Sequence, residues 1–197
     1  MTIATLPIPK AKTRPTTMTV ERFERHTGLK GYELVEGHLE RKGMGALSSF
    51  LNLEIATMLK NFVKQNRIGF AFESECMYRC FPGKPNTIRR PDASFVRNGR
   101  FPKNAIPEGI IEIPPDFAVE VMSVHDRRSR VIKKVQEYLD AGVLLVWVIE
   151  PSSQTLQAYN PDGSIDRYSG NDIVSAEPAV PGFTVKLSEL FPQGSAN

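Results

Sequence analysis

The chain has 197 residues, 41% of them hydrophobic and 24% charged, with a formal net charge of +3. That is enough for one domain with its own core and too little for two full ones, and it excludes disordered and collagen-like classes. The longest apolar run, residues 142–149, is far short of the roughly 20 residues that a bilayer-spanning helix requires, so no membrane span is expected.

Residues 1–17 lack the apolar core of a signal peptide and read as a disordered basic arm, with a cytoplasmic location following by default. A single domain is expected over 18–192, with a short tail at 193–197. Within it, TVERFERHTG reads as a short helix with Thr19 as N-cap and Gly28 beyond its end. Two short runs, YELV and HLERK, flank Glu36-Gly37, the pattern of a tight β-hairpin. Leu47, Leu51, Ile55, Met58, Leu59 and Phe62 recur at intervals of three and four, which predicts a helix over 46–66 covering one face of a sheet. Alternation with period two then runs from Gly69 to Phe81, predicting one strand with Glu73, Glu75 and Arg79 on its polar side. Cys76 and Cys80 fall in that stretch and read as reduced residues, since two cysteines make neither a disulfide framework nor a zinc set.

A turn at PGKPN leads to IRRPDASFV, a strand expected to begin at Pro91, which has no N–H to donate. After a proline-punctuated loop, FAVEVM reads as a central strand and 126–140 as a helix striped by Val131, Val135 and Leu139. VLLVWVI is a second buried strand. Strand, helix and strand make a crossover unit, so the fold class is α/β, or α+β with a mixed sheet flanked by helices. TLQAYN and DRYS add an antiparallel meander, and LSELF a last short helix. An apolar C-terminal meander could also support a homodimer.

The low net charge conceals two basic blocks. Residues 84–103 hold six basic side chains against Asp92, and 126–134 hold five against Asp126. Each block lies beside a carboxylate placed inside an apolar strand, Asp92 or Glu120. A buried carboxylate is costly unless it is ion-paired or binds a metal. Pairing with Arg89, Arg90 or Arg127 is one explanation. The other is that the two strand ends adjoin and hold a hard cation, Mg²⁺ or Mn²⁺, with the basic blocks positioning phosphates around it. Such a site usually adds an amine, and Lys133 or Lys134 could supply it. No phosphate-binding glycine loop, HExxH pair, GxSxG elbow or CxxC is present. His125, after the central strand, reads as an exposed loop residue.

The series YELVEGHLE, RRPDASFV, PPDFAVEVMSVHD, KKVQEYLDAGVLLVWVIEP and PGFTVKLSELF resembles the bacterial family of putative restriction endonucleases within the PD-(D/E)XK nuclease superfamily, over residues 18 to 192. The resemblance implies a restriction-endonuclease-like core in which Asp92 and Glu120 are metal ligands. It also implies a lysine moved from the standard place, here Met122, to the following helix as Lys134. Glu33, Glu36 and Glu75 match positions where relatives often carry acids, so Glu75 or Glu33 could complete the metal shell; Glu54 is a further candidate. The chain departs from its relatives at Ser123-Val124-His125, at Arg130 where many carry an acid, and at Ser48 where many carry a histidine. The implied activity is a Mg²⁺- or Mn²⁺-dependent endodeoxyribonuclease, with Arg89, Arg90, Arg127 and Arg128 on DNA phosphates. A DNA-binding or regulatory protein that keeps the fold without turnover is the alternative, and a structural or toxin-partner role with ion-paired carboxylates is a third.

Overall fold

A computed structural model describes residues 17–26 and 28–192. The expected arm, apart from Thr17, and the tail at 193–197 lie outside them. Helix α1 (Val20–Glu24) is short, and Thr19 caps it by accepting the Arg22 N–H at 3.4 Å. Strands β1 (Tyr32–Val35) and β2 (His38–Arg41) pair antiparallel around Glu36 and Gly37, whose φ angles of 51° and 82° match the twist of a tight hairpin. The Glu36 N–H donates to Thr87 Oγ1, and Leu34 bridges to Ile88, so the hairpin is bound to the chain that enters the main sheet.

Helix α2 (Ala46–Asn66) comes next, buried along Leu51, Ile55, Leu59 and Val63. The stripe drawn from sequence departs at Leu47, which is exposed together with Phe50 and Leu53 on the outer side of the helix. Strand β3 (Gly69–Glu73) is shorter than the period-two pattern predicts. The Cys76 N–H donates to Glu73 O at 3.0 Å, so the chain turns there, and beyond it only Tyr78 forms bridges, to Arg89 and Ile111. Alternation in the residues continues past a turn that the backbone has already made.

Strand β4 (Ala93–Arg97) is preceded by Pro91 and by Asp92, whose N–H donates to Val119 O at 2.8 Å. A proline-rich loop then leads to β5 (Phe117–Val121), α3 (Arg128–Asp140) and β6 (Leu145–Glu150). Strands β7 (Thr155–Tyr159) and β8 (Ile165–Ser169) follow as the expected meander. The six-stranded sheet runs β3-β4-β5-β6-β7-β8, with β5 and β6 parallel and every other pair antiparallel. A small pair not foreseen from sequence, β9 (Ile173–Ser175) with β10 (Thr184–Lys186), leads into α4 (Leu187–Leu190). No helix among the described residues is long and apolar enough to cross a membrane.

Strict alternation divides the core. Phe95, Phe117, Val119, Leu145, Trp147 and Ile149 pack with α2 and α4 on one face, where Trp147 meets Phe117 edge-on at 4.9 Å. Val96, Ala118, Val146 and Val148 pack with Val135 and Tyr138 of α3 on the other. Glu120 lies between Val119 and Val121 in sequence and therefore points to the α3 side.

Close packing is severe at Gly69. A Cβ there would stand 2.3 Å from Val96 O and 2.6 Å from the Phe95 ring, on backbone paired with Arg97. Gly69→Ala should lower unfolding stability by about 2–4 kcal/mol. Urea unfolding of the variant with an unchanged midpoint would contradict this packing.

Candidate active site

Asp92 and Glu120 are neighbours across the junction of β4 and β5. Asp92 Oδ2 accepts the Val121 N–H at 2.7 Å, so the backbone next to Glu120 holds the first carboxylate. From the α2 side, Asn52 Nδ2 donates to Asp92 Oδ1 at 3.2 Å, and Ser48 Oγ donates to Met122 O at 2.9 Å. Both carboxylates are buried at the base of a pocket that β2, the β5–α3 loop and α3 enclose.

The lysine arrives from α3. Lys134 Nζ lies 2.8 Å from Glu120 and 2.7 Å from Glu33 Oε1, while Lys133 is exposed. Tyr138, four residues on and so on the same helix face, donates its hydroxyl to Glu120 Oε1 at 3.0 Å. Lys134 thus reaches Glu120 from the element after the strand that carries it.

Several expectations need correction. Arg89 and Arg90, expected on DNA phosphates, are buried side chains, and Arg89 lines the pocket from within. Arg89 is clamped between Glu33 at 3.0 Å and Glu137 at 2.6 Å, and Arg90 pairs with Glu75. Burying a guanidinium requires such partners, and their local supply of carboxylates drew both arginines inward. Glu75 engages Arg90 outside the pocket, and its side chain is 46% exposed, so it does not join Asp92 and Glu120. Glu33 does join them, but Lys134, Arg89 and the Arg90 N–H already share its two oxygens. Glu36 is an exposed turn residue, and Glu54 lies outside the pocket. Arg127 and Arg128 are exposed at the start of α3, with Arg128 bonded to Glu150 and Gln157.

Lys42 was not singled out from sequence. Its Nζ lies 2.7 Å from Asp92 Oδ1, and exposed Arg41 and Arg130 line the same pocket. A lysine in ERKGMG looks like a solvated loop residue. The sequence carries no signal that would turn it inward.

Asp92 and Glu120 are hard oxygen donors of the kind Mg²⁺ and Mn²⁺ prefer, so the chemistry of the pair suits such an ion. Among the described residues no three acidic, histidine or cysteine side chains come together to hold one. Of the two acids expected to complete the shell, Glu33 lines the pocket but is paired with Lys134 and Arg89, and Glu75 is paired with Arg90 outside it.

The electrostatics separate the two central acids. Burial pushes the Glu120 carboxyl up from an ordinary 4.5 to about 7, against Lys134 and Lys42, with Asp92 and Glu33 adding to the rise. Burial acts on Glu33 too, but Lys134, Arg89 and Lys42 outweigh it and hold its carboxyl down at about 2. Burial opposes the charge on Lys42, yet Asp92, Glu120 and Glu33 keep its ammonium well above the lysine range.

A family model described as Uma2, putative restriction endonuclease, matches residues 20–188. No curated protein matches the chain. Among solved structures, the chain is similar to a crystal structure of a putative nuclease belonging to DUF820 from Anabaena variabilis. The TM-score is 0.74 at 23% identity, covering 88% of this chain and 97% of that one. At that identity the likeness establishes the fold.

Because folding raises the Glu120 carboxyl, the stability linked to its proton is complete below pH 4.5 and is lost as pH rises through about 7. Glu33 contributes in the opposite sense, fully above 4.5 and less as pH falls towards 2. Glu120→Gln removes only the first effect. Between pH 5 and pH 8 the variant should gain about 2 kcal/mol relative to wild type in urea unfolding. A difference that does not change with pH would contradict the environment described for Glu120.

Proposed function

The chain belongs to the Uma2 family of putative restriction endonucleases, and from that membership and the geometry of its pocket we propose that it is a divalent-cation-dependent endodeoxyribonuclease of the PD-(D/E)XK kind. The observation that carries this reading is the meeting of Asp92, just before β4, Glu120 of β5 and Lys134 of α3 in one pocket. An ion-paired scaffold needs no pocket around its charges. A hydrolytic site does.

Asp92 and Glu120 would hold Mg²⁺ or Mn²⁺, whose Lewis-acid charge offsets the negative charge that develops on a phosphodiester under attack. Lys134, between two carboxylates, serves as a fixed charged donor that orients the attacking water. Tyr138 and Val121 keep the two carboxylates in place through their O–H and N–H. Arg41 and Arg130, exposed on the pocket lining, and Arg127 and Arg128, exposed at the start of α3, take the phosphate-contacting role first assigned to Arg89 and Arg90. Cutting both strands would call for two copies of the chain, and the ratio of nicked to linear product reads this out.

Wild type should nick supercoiled plasmid with Mg²⁺ or Mn²⁺ and stop on chelation. Asp92→Ala, Glu120→Ala and Lys134→Met should each lower the rate by about a thousandfold or more. Equal cutting by these variants would remove the assignment, and salt-sensitive DNA binding without cleavage in wild type would favour the regulatory alternative. Arg127→Gln with Arg128→Gln should weaken DNA binding and reduce the slope of log K against log salt by about two. An unchanged slope would place the DNA elsewhere.

A further inference from the structure

Lys42 has no part in the chemistry outlined above, yet it makes one of the shortest polar contacts in the pocket. It lies just beyond β2, and its backbone N–H donates to Gly31 O at 2.8 Å, which fixes the chain there. Its Nζ then reaches both Asp92 Oδ1 and Arg90 O, each at 2.7 Å. Asn52 takes the same Asp92 oxygen and the Val121 N–H takes the other. One carboxylate oxygen accepts about two hydrogen bonds, so Oδ1 is fully used.

The two lysines of the pocket are held unequally. Lys134 has two carboxylates, Glu33 and Glu120, and also approaches Arg90 O at 3.4 Å. Lys42 has one carboxylate and shares that carbonyl. Its side chain is 16% exposed against 3% for Asp92, so Lys42 is the partner more open to the pocket. A flexible four-carbon stem can swing without moving the backbone. A second cation reaching Oδ1 would meet an ammonium already at hydrogen-bond distance, in a buried setting where like charges repel strongly.

We propose that Lys42 is a built-in counter-ion of Asp92 with which an entering divalent cation must exchange, so that loading of the site is governed by the departure of one lysine side chain. This rests on the reading of Asp92 as a metal ligand. The exchange leaves Asp92 paired throughout, first with Lys42 and then with the ion, so the carboxylate is never buried alone. It also makes this chain resist divalent cations more than its two carboxylates alone would.

Mn²⁺ titration of the full chain at pH 8, with free Mn²⁺ followed by electron paramagnetic resonance, tests the idea. Lys42→Met should bind Mn²⁺ about tenfold more tightly than wild type, or better. Lys42→Gln, which keeps an N–H for Asp92, should do the same and serves if the Met variant does not fold. Arg41→Gln removes an equal charge from the pocket lining without freeing Oδ1, and should change affinity less than about threefold. Lys42 variants that bind no tighter than wild type would overturn the exchange, as would Arg41→Gln matching them. Binding unaffected by Asp92→Asn, or no binding by any variant, would instead overturn Asp92 as a metal ligand and this inference with it.

Discussion

A chain of alternating buried charges organises the molecule: Glu137 to Arg89, Arg89 to Glu33, Glu33 to Lys134, and Lys134 to Glu120, with every contact at 3.0 Å or less. Each member is expensive to bury alone and tolerable only because its neighbours are in place, so removing one leaves a charge stranded in a poor solvent. The series joins α3 to the segment before β4, to the hairpin and to β5. Apolar packing of Val135 and Tyr138 brings α3 onto the sheet, but hydrophobic contact is not directional. The ionic series supplies direction, fixing which turn of the helix lies over Glu120.

The sheet contributes the other half of the placement. Parallel pairing of β5 with β6 requires a crossover, and α3 is that crossover, so the strand bearing Glu120 and the helix bearing Lys134 are consecutive in the chain. Alternation along β5 sends Phe117, Val119 and Val121 towards α2 and leaves Glu120 on the opposite face. Asp92 stands just before β4, after a proline that keeps the ladder from starting earlier, and this leaves its side chain free to accept from Val121. The two carboxylates converge because antiparallel β4 and β5 are in the register that pairs Ala93 with Val119.

Much of this was legible in the residues. Asp92 and Glu120 stood out because acids interrupted apolar strands, and the crossover was visible as two buried runs about a helical stripe. Lys134 came from family resemblance and its spacing to Tyr138. What could not be read was direction. Arg89 and Arg90 belong to a basic run, and such a run records charge without saying which side chains turn inward to meet Glu33, Glu137 and Glu75. Lys42 was hidden for the converse reason, since a loop lysine among glycines matches a solvated one residue for residue. The overlong strand after Gly69 has a related cause, because period two in the side chains says nothing of a backbone turn at Glu73. The arginine and lysine cases depend on contacts between residues distant in sequence, which local pattern does not encode, whereas the turn at Glu73 is a local bond that side-chain periodicity does not register.

Within the series the acids and bases nearly cancel, with Lys84 beside Glu137 and Lys42 beside Asp92 completing the balance. Arg41, Arg127, Arg128 and Arg130 are instead in contact with water, where mobile ions weaken attraction over about 10 Å at 0.1 M salt, whereas the interior pairs are largely beyond their reach. Ionic strength thus acts on this protein as a selective solvent variable. It can weaken attraction at the exposed arginines while leaving the alignment of β4, β5 and α3, and the pocket they form, intact.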